Sequence, residues 1–163
     1  MIKQKRRSIA FINYETTFHH LHERDRGYRE ALRNANLKYT NTLHKQIRKI
    51  SFDDDMQKAI TELTTGNIEC DAIFFATDTL AIEGLKRMVA LNIDVPDKVA
   101  VLSFDESEAF SLFSCPITYY RQPLEQIGIT AVNLLFDVIK DQTIEKEICL
   151  ESKLIKGKSC GEK

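Results

Sequence analysis

No Cys-x-x-Cys pair, no long apolar run and no excess of charge of either sign occurs in these 163 residues. Each absence removes a class of protein. The four cysteines, Cys70, Cys115, Cys149 and Cys160, stand singly along the chain. That spacing argues against a disulfide framework and against a zinc site, and it fits a cytoplasmic protein with incidental thiols. A formal net charge of -1 offers no general field to nucleic acid or to an anionic membrane. No apolar run approaches the ~20 residues that cross a bilayer. The basic start, Met1 to Arg7, leads only into a short apolar strand with no small-residue cleavage site, so no secretory leader is expected. Also missing are a Gly-x-Ser-x-Gly elbow, a phosphate-cradling glycine loop, a His-Glu-x-x-His pair and any nucleophile with a base beside it. Neither an enzyme nor a cofactor or metal site is expected. What remains is 43% hydrophobic and 29% charged, and it is long enough to bury one sizeable core.

The most informative stretch runs from Asp71 to Glu106. Ile73 to Ala76 is a short apolar run that stops at Thr77-Asp78, a helical pattern follows, and Val99 to Phe104 is a second run that stops at Asp105. The same alternation is present upstream. Ser8 to Asn13 reads as a strand, and Leu21 to Ala35 as a helix with Leu21, Tyr28, Ala31, Leu32 and Ala35 on one stripe. Gln46 to Ile50 reads as a weak strand, followed by a helix with Met56, Ala59, Ile60 and Leu63 inward. The acidic run Asp53 to Asp55 suits the start of that helix, and Gly66 suits a left-handed residue at its end. The helix from about Thr79 to Leu91 turns Leu80, Ala81, Leu85, Met88 and Val89 inward.

Near-continuous apolar strands alternating with helices predict an α/β fold, a doubly wound parallel sheet covered on both faces. In such sheets the ligand crevice lies at the carboxyl ends of the strands. Thr77, Asp78 and Asp105 fall there. The pattern changes after Phe110. Ile117 to Arg121 is a short extended piece, Pro123 opens a helix from Leu124 to Lys140, and Glu147 to Ile155 reads as a last strand.

The motifs, taken in order, resemble the C-terminal part of the effector-binding core of the LacI/GalR (lactose-repressor) family of bacterial transcription regulators. Ser8 to Ile12 looks like the family's strand after its Gly-His-x-x-Ile-Ala segment. Arg24 to Tyr28 matches Arg-x-x-Gly-aromatic, and Ala76-Thr77-Asp78 with Ala81 is similar to Ala-Asn-Asp-x-x-Ala. Val95 to Val101 and Phe104-Asp105 look like Val-Pro-x-Asp-Val-x-Val-x-Gly-Phe-Asp. Ile117-Thr118, Gln122-Pro123 and Gly128 resemble Leu-Thr-x-x-x-Gln-Pro with its later Gly, and Lys158-Ser159 resembles the terminal Arg-x-Ser. Ser103 and Thr77 depart from the family's usual Gly and Asn.

The resemblance implies a periplasmic-binding-protein-like type I lobe. It implies that residues 1–116 form the C-terminal lobe of the effector domain. Residues 117–146 would be a crossover and helix belonging to an N-terminal lobe, and 147–163 a return strand and tail. It further implies a sugar-like small-molecule effector, a homodimer, no membrane, and operator DNA contacted only through a helix-turn-helix headpiece that precedes this piece. The competing reading is a sugar-binding component of a transport system with the same two-lobed fold. Such a protein would carry a secretory leader.

Six residues are candidates for the ligand site, each beside a plainer role. The Arg24 fork suits paired hydroxyls or a carboxylate, or else it pairs with Glu23 or Glu30 on its own helix. Asp105 accepts hydrogen bonds from ligand hydroxyls or serves as a turn residue. The resemblance places a stacking aromatic near Phe52, which otherwise packs on its own helix. Thr77 offers a hydroxyl or caps the next helix, with Asp78 as the competing cap. Phe18 and His20 correspond to ligand contacts in the family. His19, His20 and His22 read more simply as exposed imidazoles than as metal ligands. The Lys3 to Arg7 run reads as a solvated segment rather than a phosphate-binding one.

Overall fold

The computed structural model describes residues 1–140 and 147–161. Its elements are β1 (Ile9–Tyr14), α1 (His19–Asn34), β2 (His44–Ile47), α2 (Phe52–Thr64), β3 (Ala72–Phe75), α3 (Asp78–Ala90), β4 (Ala100–Phe104), β5 (Thr118–Arg121), α4 (Leu124–Ile139) and β6 (Lys153–Ile155). The strands form a single sheet in the order β2-β1-β3-β4-β5-β6. The first five are parallel, and β6 runs antiparallel to β5. From β1 the chain steps outward to β2 and then back across to β3. That reversal is the switch point of a doubly wound sheet, and it sets the crevice at the carboxyl ends of β1 and β3.

Burial explains the run-like strands. Ala10, Phe11, Ile12, Ile73, Phe75, Ala100 and Val101 are wholly buried, as expected for strands covered on both faces. The helices contribute Leu21, Tyr28 and Leu32 from α1, Met56, Ile60 and Leu63 from α2, and Leu80, Leu85 and Met88 from α3. Gly84 lets α3 lie directly on the sheet, because a Cβ there would stand 2.4 Å from the Phe75 ring.

Several boundaries and faces differ from the sequence reading. β2 begins at His44 and ends at Ile47, while Lys49–Ser51 forms a 3₁₀ turn and Ile50 is 95% exposed. As an edge strand it needs little apolar cover, so its polar residues hid it. Val89 is 63% exposed, since Leu85 and Met88 already fill the sheet-facing side and Val89 lies ~100° further round. Ala31 is likewise exposed. Gly66 is not left-handed; a side chain there would meet the Glu62 carbonyl oxygen at 2.6 Å, so close approach is what requires glycine. The last strand spans Lys153–Ile155 rather than Glu147–Ile155. Its partner β5 stops at Arg121, paired with Lys153, and leaves nothing upstream to pair with.

A polar cluster ties α1 to the edge strand. Asp25 receives both Arg29 Nε and Nη2 at 3.0 Å and lies 3.0 Å from His44 Nε2. The Arg29 guanidinium lies 4.2 Å above the Tyr39 ring. Burial lowers the pKa of His44, opposed by Asp25 and reinforced by Arg29.

Candidate functional site

At the carboxyl end of the sheet, Arg24 reaches from the first turns of α1 across the switch point. Its Nη1 donates to the Ala76 carbonyl just beyond β3 at 2.6 Å and to Asp105 Oδ2 at 3.2 Å. The guanidinium carbon sits 3.8 Å from the centre of the Phe104 ring, and Phe104 stacks on Tyr120 at 5.9 Å. Burial lowers the Arg24 pKa, opposed by Asp105. The group stays cationic at any physiological pH. The side chains of Arg24 and Asp105 are 11% and 25% exposed, so the pair is shielded yet open on one side.

The Asp105 backbone has a φ of 70°, a left-handed conformation that non-glycine residues rarely adopt. Ser103, wholly buried, donates its hydroxyl to the Phe104 carbonyl at 2.9 Å and braces this turn. The second carboxylate oxygen of Asp105 accepts from Gln122 Nε2. The sequence names Gln122 within a motif and Phe104 as the end of a strand, and neither is among the six candidates. The signals were available: an amide immediately before the proline that opens α4, and an aromatic immediately before the turn aspartate.

The other predicted residues form two neighbouring groups. Thr77 caps α3, its hydroxyl accepting from Leu80 N at 3.3 Å, and Asp78 is the first helical residue rather than the cap. The Tyr14 pKa is raised by burial, against the hydrogen bond with Thr77, with Asp78 and Glu83 adding to the rise. Phe52 opens α2 and tilts against Tyr14 with ring centres 6.1 Å apart. Phe18 is 53% exposed just before α1. It stacks on His20 at 5.8 Å, and Lys49 Nζ lies 5.4 Å over the Phe18 ring. The structure therefore joins Arg24 to Asp105 directly, sets Thr77 one residue beyond the carbonyl Arg24 holds, and pairs Phe18 with His20. A cavity of about 320 Å³ lies at the opposite end of the sheet, lined by Arg6, Asp71, Pro96 and Cys160. It is unconnected with this rim.

Chemically, the rim gathers a fixed cation, a carboxylate, a neutral amide and aromatic rings. That combination suits a polyhydroxylated molecule with apolar ring faces.

A family model described as the periplasmic binding protein-like domain matches residues 1–160. The chain belongs to the periplasmic binding protein-like family. The HTH-type transcriptional regulator CelR of Thermobifida fusca is 34% identical over 134 residues, covering 82% of this chain and 39% of that protein. The solved transcriptional regulator CelR–cellobiose complex superposes with a TM-score of 0.84 at 32% identity, over 97% of this chain and 48% of that one. A sugar-binding transcriptional regulator of the LacI family from Escherichia coli, complexed with phosphate, shares the fold at 18% identity with a TM-score of 0.82, over 97% of this chain and 56% of that one. The resemblance read from the motifs holds: this periplasmic binding protein-like chain corresponds to part of a LacI-type effector-binding core. It spans 39% of the length of its curated relative CelR.

Proposed function

We propose that this chain is the effector-sensing part of a LacI-type transcription regulator and that the Arg24–Asp105 rim grips a sugar-like small molecule. The carrying observation is the Arg24–Asp105 pair, held 3.2 Å apart over the Phe104 ring at the switch point of the sheet. The cellobiose in the CelR structure supports a sugar as the ligand class.

Residues 1–116 act as the C-terminal lobe, and β5 of the crossover completes its sheet. The helix α4 packs in a second lobe, and the tail returns to the first. The end of that middle segment, residue 146, lies outside the described residues. The apolar side chains of α4, none of them buried, support this division. Effector binds between the lobes and favours one degree of closure. Because the two closures differ in affinity for effector, binding shifts their populations. Operator DNA is contacted through a headpiece outside these residues, in a cytoplasmic homodimer. The transport alternative is disfavoured because the relatives carry helix-turn-helix names.

The test is a thermal-shift titration of the two-lobed protein with cellobiose, maltose, sucrose, lactose and galactose. A bound sugar at a hundredfold its Kd adds about 2.7 kcal/mol to stability. The expected result is a rise in Tm with at least one sugar, lost in Arg24→Ala and Asp105→Ala. No rise with any sugar, or an unchanged rise in both variants, sinks the proposal.

A further inference from the structure

We propose that Gln122 is a positioning residue for the effector: it aims the Asp105 carboxylate and links it to the point where the chain leaves the sheet. This rests on the effector reading above. Tyr120 of β5 stacks on Phe104. Gln122 stands one residue past the end of β5 and meets the Arg24–Asp105 pair there. The two carboxylate oxygens of Asp105 are divided between two donors, Arg24 on one and Gln122 on the other. The adjacent residues repeat the contact, as Arg121 Nε donates to Glu106 at 2.7 Å. Two consecutive residues at the exit of β5 thus clamp two consecutive residues of the turn after β4.

The two donors differ in kind. Arg24 is a buried cation, and displacing it from Asp105 strands charge on both partners. Gln122 is neutral, so it fixes the orientation of the carboxylate and leaves its charge to a ligand hydroxyl, which the same oxygen accepts on its remaining lone pair. The aim of Asp105 toward effector is therefore set at Gln122. Pro123 and α4 follow immediately, and α4 buries none of its residues against this sheet. A change at Gln122 is passed directly to the start of that helix.

The experiment measures Kd by calorimetry for the sugar that shifts the wild-type protein most, in Gln122→Ala, Gln122→Glu and Arg121→Ala, at pH 7.5 and pH 5. The expected result is a loss of about tenfold or more in Gln122→Ala, with Tm little changed. In Gln122→Glu two carboxylates face each other, so binding is weaker still at pH 7.5 and recovers at pH 5 relative to wild type, a pH signature that a purely structural residue would not give. Arg121→Ala, which removes exposed contacts to Glu106 and Tyr119 and none to Asp105, stays within about twofold. A Kd within about twofold of wild type in both Gln122 variants overturns the proposal while leaving the effector reading intact. If no sugar shifts the wild type, the effector reading falls, and the contact is judged without ligand. The Tm of Gln122→Glu should then rise on acidification relative to wild type, and adding Asp105→Asn should remove that dependence. A flat profile overturns the contact itself.

Discussion

The body of the sheet and the helix α4 are built from similar amino acids and meet opposite surroundings. Phe11, Ile12, Ile73, Phe75 and Val101 have no exposed surface, whereas on α4 Leu124 and Ile139 are each 67% exposed and Phe136 is 54% exposed. The stripes of α1, α2 and α3 each meet the sheet; α4 is just as amphipathic in pattern and buries nothing. A helical stripe states that a face needs a partner. It does not say which surface the partner is.

Two pairs of substitutions and one pH series test that contrast, from the largest expected effect to the smallest. Phe75→Ala should cost about 3–5 kcal/mol of stability by urea unfolding, while Phe136→Ala on α4 should change this chain by less than ~0.5 kcal/mol. Equal losses would show that α4 is packed after all. The two helical glycines make a sharper pair. Gly84→Ala drives a Cβ into the Phe75 ring and should cost about 1–3 kcal/mol. Gly128→Ala meets nothing within 4 Å and should instead stabilise by about 0.5–1 kcal/mol, because alanine is the better helix former. The same sign for both would break the comparison.

The smallest effect concerns how the body is fastened at its edge. The pKa of His44 lies below 6.5 in the folded chain because burial disfavours its charged form. As pH falls, the unfolded chain takes up the proton first. Stability is therefore full above about pH 6.5 and declines below it until the folded-state pKa is passed. Tm measured from pH 7.5 to pH 5 should fall more steeply in wild type than in His44→Gln. Parallel curves would remove His44 from the account.

Much of this was legible in the sequence because parallel strands covered on both faces write themselves as apolar runs. Ile9–Ile12, Ile73–Phe75 and Val99–Val101 are such runs, and they end where the rim begins. What stayed hidden depended on pairing rather than on hydropathy. β2 carries His44, Lys45 and Gln46 because an edge needs little cover, and β6 is short because β5 is short. Val89 fits the period of its helix and still faces water. At the rim, Arg24 and Asp105 were visible through their motif spacing. Gln122 and Phe104 earn their places only through contacts made in space, and no local pattern distinguishes a strand-end glutamine that meets a carboxylate from one that meets solvent.

The antiparallel pairing of β5 with β6 has a mechanical meaning. The chain departs along one strand and comes home along its immediate neighbour, with Arg121 opposite Lys153. The chain after Arg121 and the chain before Lys153 are thus held at two points about 5 Å apart, the spacing of adjacent strands. A load on two close pins swings readily about the line that joins them and resists turning about any other. The pairing thereby favours one axis of swing over the others.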